Sequence, residues 1–457
     1  DYMSSGIYDS IIFGDGYSTA EMRAVFDDEQ LIQNWLDIEA ELARCQGELG
    51  LIPKAAAEEI SAAVNRRQFD FTAMKKSKSE NGHNIVSMVK ILQTQCSGMA
   101  GEYIHYGATT QDIMDTGLSM AIKSGLEIIG RDSKKLYNIL VNKAERYRNT
   151  VMAGRTHGQH AVPITFGYKT AVWAEEMYRH IERIRHAFAV GPVLEFSGAA
   201  GTLATIDSDF GFELQDKMAE ALKLQKPVIT WHTARDGFTE VVCTVAMIAA
   251  TGGKIANEVL NLQKTEVGEL EEPWKHGEIG SSTMPHKRNP SKTENVYLLS
   301  KLVKTQVPML LDAMIMEHER EWFSRGCEMK ILAEVFMLTA AILRDMITVM
   351  DGLVVNEDRM RTNLDLTHGL IMSERVMMVL GEKVGKQTAH EIVYEACQVA
   401  FAENRSLSEL LKNDDKVRNN LTADEIDKIL DPTSYLGLAP QYVDRVVNRR
   451  KQLVPGD

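Results

Sequence analysis

The segment from Leu31 to Leu49 constrains the fold most, because its apolar residues recur in alternating steps of four and three. The series is Leu31, Trp35, Ile38, Leu42, Cys45 and Leu49. Such a seam belongs to a long helix that packs along its whole length against other helices. Gly50 and Pro53 predict the end of this helix. The pattern therefore favours a helical bundle.

Five further segments are long, apolar on one face and nearly free of breakers: 113–147, 164–190, 232–267, 291–319 and 329–351. Pro308 predicts a kink in the fourth of them. An alternating strand pattern is almost absent, so we predict a mainly α fold built as an elongated bundle of long helices. From Asp365 onward the helices become shorter, with an acidic cap-like run at Asp414-Asp415 and a turn at Asp431-Pro432, which indicates a separate C-terminal helical domain.

Composition excludes several classes of protein. Five cysteines without a close pair argue against a disulfide framework and a thiolate zinc site. The formal net charge of −13 opposes non-specific binding to nucleic acid. The start of the chain lacks the order of a secretory signal, and no uninterrupted apolar run is long enough to span a bilayer. We expect a cytoplasmic protein with no membrane or nucleic-acid partner.

The loop from Gly280 to Pro290, with the sequence GSSTMPHKRNP, has residue types suited to handling an anion. Two hydroxyls follow a flexible glycine, and two cations and an amide come after them. The loop resembles the mobile loop of the fumarase/aspartase superfamily. That resemblance implies that Ser281 removes a proton from the carbon beside a carboxylate, and that Lys287 and Asn289 hold the carboxylate. Ser282 and Met284 join the expected substrate-binding residues.

Two more blocks resemble the same superfamily, the run HYGATTQD that begins at His105 and the run GRTHGQH that begins at Gly154. The first implies substrate contacts from His105, Thr109, Thr110 and Gln111. The second implies that Thr156 contacts substrate and that His157 donates a proton to the leaving group. The spacing of His157 and His160 is only a weak metal signal, so we predict no metal site.

Breaking a bond beta to a carboxylate requires a base for the carbon acid, donors that hold the aci-carboxylate intermediate, and an acid for the leaving group. A serine is a feeble base at its ordinary pKa, so Ser281 needs activation by backbone amides of the loop and by Lys287. Histidine donates protons near neutral pH, and Glu294 stands where the superfamily supplies its carboxylate partner. His83 matches a position where adenylosuccinate lyases carry a site histidine, although it could also cap the following helix.

Two branches of the superfamily compete. The segments 13–15, 22–26, 231–236 and 318–321 resemble bacterial 3-carboxy-cis,cis-muconate cycloisomerase, which commonly has tryptophan in place of His157 and lacks the acid at Glu294. Adenylosuccinate lyases have both residues. The presence of His157 together with Glu294 favours cleavage of a carbon–nitrogen bond in a succinyl substrate with release of fumarate. The alternatives are a lactonising cycloisomerase and a catalytically inactive binding homologue.

The residues expected to bind the nucleotide phosphate of adenylosuccinate are mostly different in this chain. Where adenylosuccinate lyases typically supply serines and an arginine for the phosphate, this chain has Phe323, Arg325, Gly326 and Met329. Arg325 could hold the phosphate, or the substrate could be another N-substituted aspartate. Arg235, Arg320 and Arg325 complete the expected substrate-binding residues.

The resemblance also implies an architecture. We expect an N-terminal helical domain over 1–105, a central long-helix bundle over 106–356 that carries most site residues, and a C-terminal helical domain over 357–457. It further implies a homotetramer whose active sites each draw on three subunits. A small anionic di- or tricarboxylate is the expected substrate, and no cofactor is implied.

Overall fold

A computed structural model describes residues 6–64, 69–275 and 277–452 of the chain, and the fold is mainly α as predicted. The helices are α1 Gly14–Tyr17, α2 Ala20–Phe26, α3 Asp28–Glu48, α4 Lys54–Ala63, α5 Phe71–Asn81, α6 Asn84–Thr94, α7 Thr110–Arg146, α8 Phe166–Val190, α9 Gly211–Leu222, α10 Asp236–Gln263, α11 Ser291–Asp312, α12 Phe323–Gly352, α13 Glu357–Leu364, α14 Ser373–Val384, α15 Lys386–Glu403, α16 Leu407–Asn413, α17 Asp415–Arg418, α18 Ala423–Ile429 and α19 Ala439–Arg449. The strands are β1 Val151–Thr156, β2 Gln159–Thr165, β3 Leu270–Glu271 and β4 Val354–Val355.

Helix α3 shows how the sequence defines an element. The Asp27 side chain accepts a hydrogen bond from the backbone N–H of Gln30 at 2.7 Å, which caps the start of the helix. Most of the predicted seam is buried, with Trp35 only 3% exposed. Gly50, with φ of 73°, follows the end of the helix in the left-handed conformation that glycine adopts without strain. Burial of the apolar stripe, rather than helix propensity alone, stabilises α3.

The chain forms two compact units. The first comprises residues up to 133 together with 180–253 and 295–344. Its long helices approach closely because glycines lie where the helices touch. A Cβ at Gly125 of α7 would lie 2.6 Å from the ring of Phe336 in α12, and one at Gly253 of α10 would lie 2.2 Å from the Ser300 hydroxyl in α11. The absence of a side chain at both glycines therefore sets the spacing of these helices.

The second unit comprises residues 134–179, 254–294 and 345 onward. Strands β1 and β2 form an antiparallel hairpin, and β3 pairs with β4. The shorter helices α14 to α18 enclose their own apolar cluster around Leu380, Leu407 and Leu411. The capping signals read from the sequence are present, because Asp414 accepts from the backbone N–H of Val417 and Asp431 caps the turn at Pro432.

The six long segments predicted from periodicity are all helical, with two differences. Helix α11 passes through Pro308 but ends at Asp312, whereas the sequence predicted an end near residue 319. The β1–β2 hairpin was not predicted. Helix α10 is long and apolar enough, by length and composition, to cross a bilayer, but 72% of its most apolar window is buried inside the protein. That burial is typical of a core helix.

Candidate active site

The Ser281 loop, residues 280–290, folds around the Ser281 hydroxyl. The Ser281 Oγ accepts hydrogen bonds from the backbone N–H groups of Met284, at 3.0 Å, and Thr283, at 3.3 Å. The Asn289 side chain donates to the carbonyl of Gly280 at 2.7 Å and ties the two ends of the loop together. Two amides aimed at one oxygen stabilise negative charge on that oxygen. The loop therefore favours the deprotonated form of Ser281.

Gly280 is required by the close approach of the two ends of the loop. A Cβ at this position would lie 2.3 Å from the carbonyl oxygen of Lys287 and 2.9 Å from the ring of Trp274. Arg288 lies over the same ring at 5.6 Å and pairs with Glu271 at 3.1 Å. Trp274 thus forms the support against which the loop is held.

Lys287 differs from three of the other cations that the sequence placed near the site. Arg155 pairs with the fully buried Glu269 at 2.6 Å, Arg235 is bound by carboxylates, and Arg288 pairs with Glu271. In contrast, the part of the chain that the structure describes contains no hydrogen bond or ion pair to the Lys287 ammonium. Lys287 is left available to an external anion.

His157 lies at the tip of the β1–β2 hairpin. Thr156 pairs with Gln159, so His157 and Gly158 form a two-residue turn, and both have positive φ, 53° and 76°. This geometry matches a type I′ turn, which suits the twist of a hairpin but costs a non-glycine residue some strain. The turn presents Thr156 and His157 to solvent.

Glu294, the expected partner of His157, is exposed in the first turn of α11. Among the residues that the structure describes, neither His157 nor Glu294 has a side-chain hydrogen bond or ion pair. Glu294 also lines a cavity of about 320 Å³ behind the Ser281 loop, together with Asn289 and Gly280. Both groups are thus free to meet partners from outside this chain.

A second cluster of predicted residues lines a cavity of about 340 Å³ in the first unit, here called the Thr109 pocket. Its lining residues are His83, Thr109, Thr110, Gln111, Arg320, Glu321, Trp322 and Arg325. The structure therefore brings together six residues that the sequence singled out from three separate segments. Glu321 and Trp322 join them.

His83 caps α6, one of the two roles that the sequence left open. Its Nδ1 accepts a hydrogen bond from the backbone N–H of Val86 at 3.3 Å. The ring proton then lies on Nε2, which is 3.4 Å from the Thr110 hydroxyl. A ring held in this tautomer presents a hydrogen-bond donor to the pocket.

His105 is held by a buried carboxylate that was not predicted from the sequence. Glu39 of α3, only 1% exposed, accepts from the His105 Nδ1 at 2.6 Å and from its backbone N–H at 3.0 Å. Desolvation by burial lowers the pKa of His105, but the hydrogen bond and charge of Glu39 outweigh it, and the net shift is upward. A carboxylate within the apolar seam, beside Ile38, was the signal available in the sequence.

Arg235 lies beneath the Thr109 pocket rather than in it. Its side chain is 1% exposed, and its guanidinium is held by the carboxylates of Asp115 and Glu328. The ring of Trp231 lies 5.1 Å from the same guanidinium. Because every nitrogen of that guanidinium already has a carboxylate partner, Arg235 serves this conformation as a buried support.

Asp112 organises the other side of the pocket. Its carboxylate accepts from the backbone N–H groups of Thr109, at 2.9 Å, and of Ser197 and Gly198, each at 3.0 Å. The His232 Nε2 lies 2.8 Å from the same carboxylate. Asp112 is fully buried, so these bonds satisfy a charge that would otherwise be costly. Asp112 ends the HYGATTQD run, but its role was not predicted from the sequence.

Comparisons with known proteins identify the family of the chain. Residues 16–305 match the Lyase family and residues 369–446 match the adenylosuccinate lyase C-terminus. The N-acetyl-S-(2-succino)cysteine lyase of Enterococcus italicus is 40% identical, over 97% of each chain. The adenylosuccinate lyase of Methanocaldococcus jannaschii is 42% identical, over 95% of each.

The solved structure of the 3-carboxy-cis,cis-muconate lactonizing enzyme of Pseudomonas putida matches 97% of this chain and 99% of its own. Its TM-score is 0.91 and its sequence identity 34%. The chain belongs to the fumarase/aspartase superfamily, as its motifs indicated. Within the superfamily it lies in the branch that contains the adenylosuccinate lyases and the carboxymuconate cycloisomerases.

Proposed function

We propose that the chain is a lyase that releases fumarate from a succinyl compound by β-elimination. The observation that carries this proposal is the pair of backbone N–H groups that point at the Ser281 oxygen. A hydroxyl held in this way can lose its proton and then accept one from a carbon beside a carboxylate. A lactonising enzyme would use the same loop for a similar anion, so the choice of elimination over lactone formation rests on the pair His157 and Glu294.

The proposed reaction has two steps. Ser281 removes the proton from the carbon beside a carboxylate, and the electron pair moves into that carboxylate to give the aci-carboxylate dianion. Lys287 and Asn289, with Ser282 and the backbone at Met284, hold this charge. The electron pair then forms the carbon–carbon double bond as the bond to the leaving group breaks.

We assign His157 as the acid that protonates the departing atom, with Glu294 orienting it. The hairpin tip exposes the ring for this role, and the left-handed turn fixes its direction. A nitrogen leaving group is a poor one and needs a proton, so cleavage of a carbon–nitrogen bond in an N-substituted aspartate is the reaction that most requires His157. The 40% sequence identity with the N-acetyl-S-(2-succino)cysteine lyase supports sulfur as the other candidate for the leaving atom.

We assign the Thr109 pocket to the rest of the substrate. His83 contributes an Nε2–H donor rather than an acid, because its Nδ1 caps α6. His105, held by Glu39, and Thr156 add polar contacts to the substrate. Arg235 positions the pocket through Asp115, whose carboxylate also accepts from Gln111 at 3.0 Å.

The quaternary structure is part of the same proposal. We propose a homotetramer in which residues of the Ser281 loop, the hairpin tip and the Thr109 pocket come from three subunits. The free state of His157, Glu294 and Lys287 within one chain supports that arrangement. The three-domain organisation, the cytoplasmic location and the absence of a cofactor remain expectations from the superfamily.

The test is to incubate the purified protein with a panel of succinyl compounds and to measure fumarate over time. The panel contains adenylosuccinate, other N-substituted aspartates, S-(2-succino) thioethers and 3-carboxy-cis,cis-muconate. Fumarate release from a nitrogen or sulfur compound supports the proposal. Lactone formation from carboxymuconate without any fumarate would assign the chain to the cycloisomerases, and the absence of every turnover would indicate an inactive homologue.

A further inference from the structure

The two arginines of the Thr109 pocket have no carboxylate partner of their own. Arg320 donates one hydrogen bond to the carbonyl of Ala199 at 2.6 Å. Arg325 lies over the ring of Trp322 at 4.5 Å, and its buried Nε has no hydrogen-bond partner. Within the described ranges, neither arginine forms an ion pair. Two neighbouring cations in this state favour the binding of an anion.

The electrostatics of Arg325 point the same way. Desolvation by burial lowers the pKa of Arg325, and the positive charges of Arg320 and Arg235 add to that effect against the opposing charge of Asp115. Guanidinium keeps its proton in proteins, so this environment destabilises a positive charge that is always present. A bound anion would offset that cost. The anion is therefore expected beside Arg325.

Glu321 already occupies the place that a phosphate would favour. Helix α12 begins at Phe323, and its first N–H groups form an anion site of the kind that binds phosphates. The Glu321 carboxylate accepts from the backbone N–H groups of Phe323 and Ser324, and from the Ser324 hydroxyl at 2.5 Å. Desolvation alone would raise the pKa of Glu321, but these hydrogen bonds outweigh it and hold the pKa below its usual value.

The charge balance of the pocket suits one carboxylate. Two arginines and one glutamate give the lining side chains a single net positive charge. A carboxylate carries one negative charge, whereas a phosphate monoester carries about −1.5 to −2 at neutral pH. A phosphate would also lie near the Glu321 carboxylate, and repulsion between like charges opposes that arrangement.

Gln111 favours a ligand that carries a hydrogen-bond donor. Its Nε2 donates to Asp115 at 3.0 Å and to the carbonyl of His232 at 3.1 Å, which fixes the orientation of the amide. Its Oε1 is buried and has no hydrogen-bond partner, although the residue lines the pocket and is only 1% exposed. An unpaired buried acceptor is costly. A ligand with an N–H group would remove that cost.

We propose that the Thr109 pocket selects a phosphate-free leaving group of the amino-acid class, which offers one carboxylate to Arg325 and Arg320 and one N–H to Gln111. Glu321 excludes phosphorylated groups by occupying the start of α12. This assignment of the leaving group rests on the proposed function. It favours succinylated amino acids or thiols over adenylosuccinate as substrates.

The test is direct binding of two products to the full-length protein by calorimetry, with N-acetylcysteine as the phosphate-free probe and AMP as the phosphorylated one. We expect N-acetylcysteine to bind at least about tenfold more tightly than AMP. Arg325→Met should abolish that preference, whereas Arg418→Met, at an exposed arginine of α17, should leave it unchanged. Glu321→Gln should tighten AMP binding about three- to tenfold, and the control Glu319→Gln should not.

Tighter binding of AMP than of N-acetylcysteine by the unaltered protein would overturn the inference, as would an unchanged AMP affinity in Glu321→Gln. Efficient fumarate release from adenylosuccinate would overturn the inference and leave the proposed function standing. Binding of N-acetylcysteine that depends on Arg325, without any fumarate release from the panel, would support the pocket assignment and overturn the proposed function. The two failures are therefore distinguishable.

Discussion

The Ser281 oxygen lies 3.0 Å from the backbone nitrogen of Met284, and the amide donates to the hydroxyl. This bond matters because a serine alcohol is neutral in water and a poor base. A second amide, from Thr283, points at the same oxygen. Charge that develops on the oxygen therefore meets donors that are already in place, so the loop needs no reorganisation to stabilise it.

Replacing Ser281 should remove activity without affecting the fold. We expect Ser281→Ala to lower the turnover number by about 10²–10⁴-fold, because the base is lost while the carboxylate contacts remain. The measurements are initial rates of fumarate release and thermal unfolding. The matched control is Ser406→Ala, because Ser406 is exposed and its side chain makes no cap hydrogen bond. A Ser281→Ala enzyme with near-normal turnover would rule out the assignment.

Replacing His157 should make the rate depend on the leaving group. We expect His157→Asn to slow the release of a basic amine by about 10²–10⁴-fold, since the departing nitrogen loses its proton source. A more acidic thiol leaves with less help, so its rate should fall much less. His390→Asn, at an exposed histidine of α15, is the control. Equal losses for both leaving groups would show that His157 acts in binding and not as the acid.

The buried Arg235 predicts an effect on stability rather than on substrate contact. Arg235→Met leaves Asp115 and Glu328 buried without their partner, and we expect the free energy of unfolding to fall by about 3–5 kcal/mol. Arg131→Met, which breaks exposed pairs with Glu21 and Asp132, should cost less than about 1 kcal/mol. Urea unfolding measures both. Similar losses for the two variants would contradict the assignment of Arg235 as a buried support.

The buried Glu195 predicts a dependence of stability on pH. Desolvation raises the pKa of Glu195 to about 7 from a usual 4.5, although the charge of His232 and the Ser197 hydroxyl oppose the shift. The folded protein then binds more protons than the unfolded chain between these values. The free energy of unfolding should therefore fall as pH rises from about 4.5 through 7.

Desolvation lowers the pKa of His232, but the hydrogen bond that its Nε2 donates to Asp112 and the charge of Glu195 outweigh this effect, and the net shift is upward. This shift acts in the same direction on stability, because protonation of His232 is favoured in the fold. Glu195→Gln should reduce the fall in the free energy of unfolding between pH 5 and 8 by on the order of 2 kcal/mol. Urea unfolding across this range, with Glu127→Gln as an exposed control, provides the measurement. An unchanged slope in Glu195→Gln would contradict this account.

The sequence predicted the long helices because their apolar seams repeat over many turns, and it predicted the Ser281 loop because hydroxyls, cations and glycine occur there together. It could not predict the β1–β2 hairpin. The turn at His157-Gly158 lacks the usual asparagine or aspartate of such turns, and the flanking residues do not alternate cleanly. Local patterns also gave no sign that α11 would end at Asp312.

Side-chain partners across the fold were equally hidden. Arg235 looked like a substrate ligand because the sequence does not reveal that Asp115 and Glu328 converge on it from 120 and 93 residues away. The bond between Glu39 and His105 spans 66 residues. Such pairs form by tertiary packing and not by local spacing. The single available sign was a charged residue within an apolar seam.

The central claim is that the chain releases fumarate from a succinyl compound by means of Ser281. The most direct measurement is fumarate formed over time from adenylosuccinate and from the S-(2-succino) thioether of N-acetylcysteine, with the unaltered protein and with Ser281→Ala. We predict release that requires Ser281 and that is faster from the thioether. Fumarate formation that persists in Ser281→Ala, or a complete absence of fumarate from every succinyl compound, would contradict the claim.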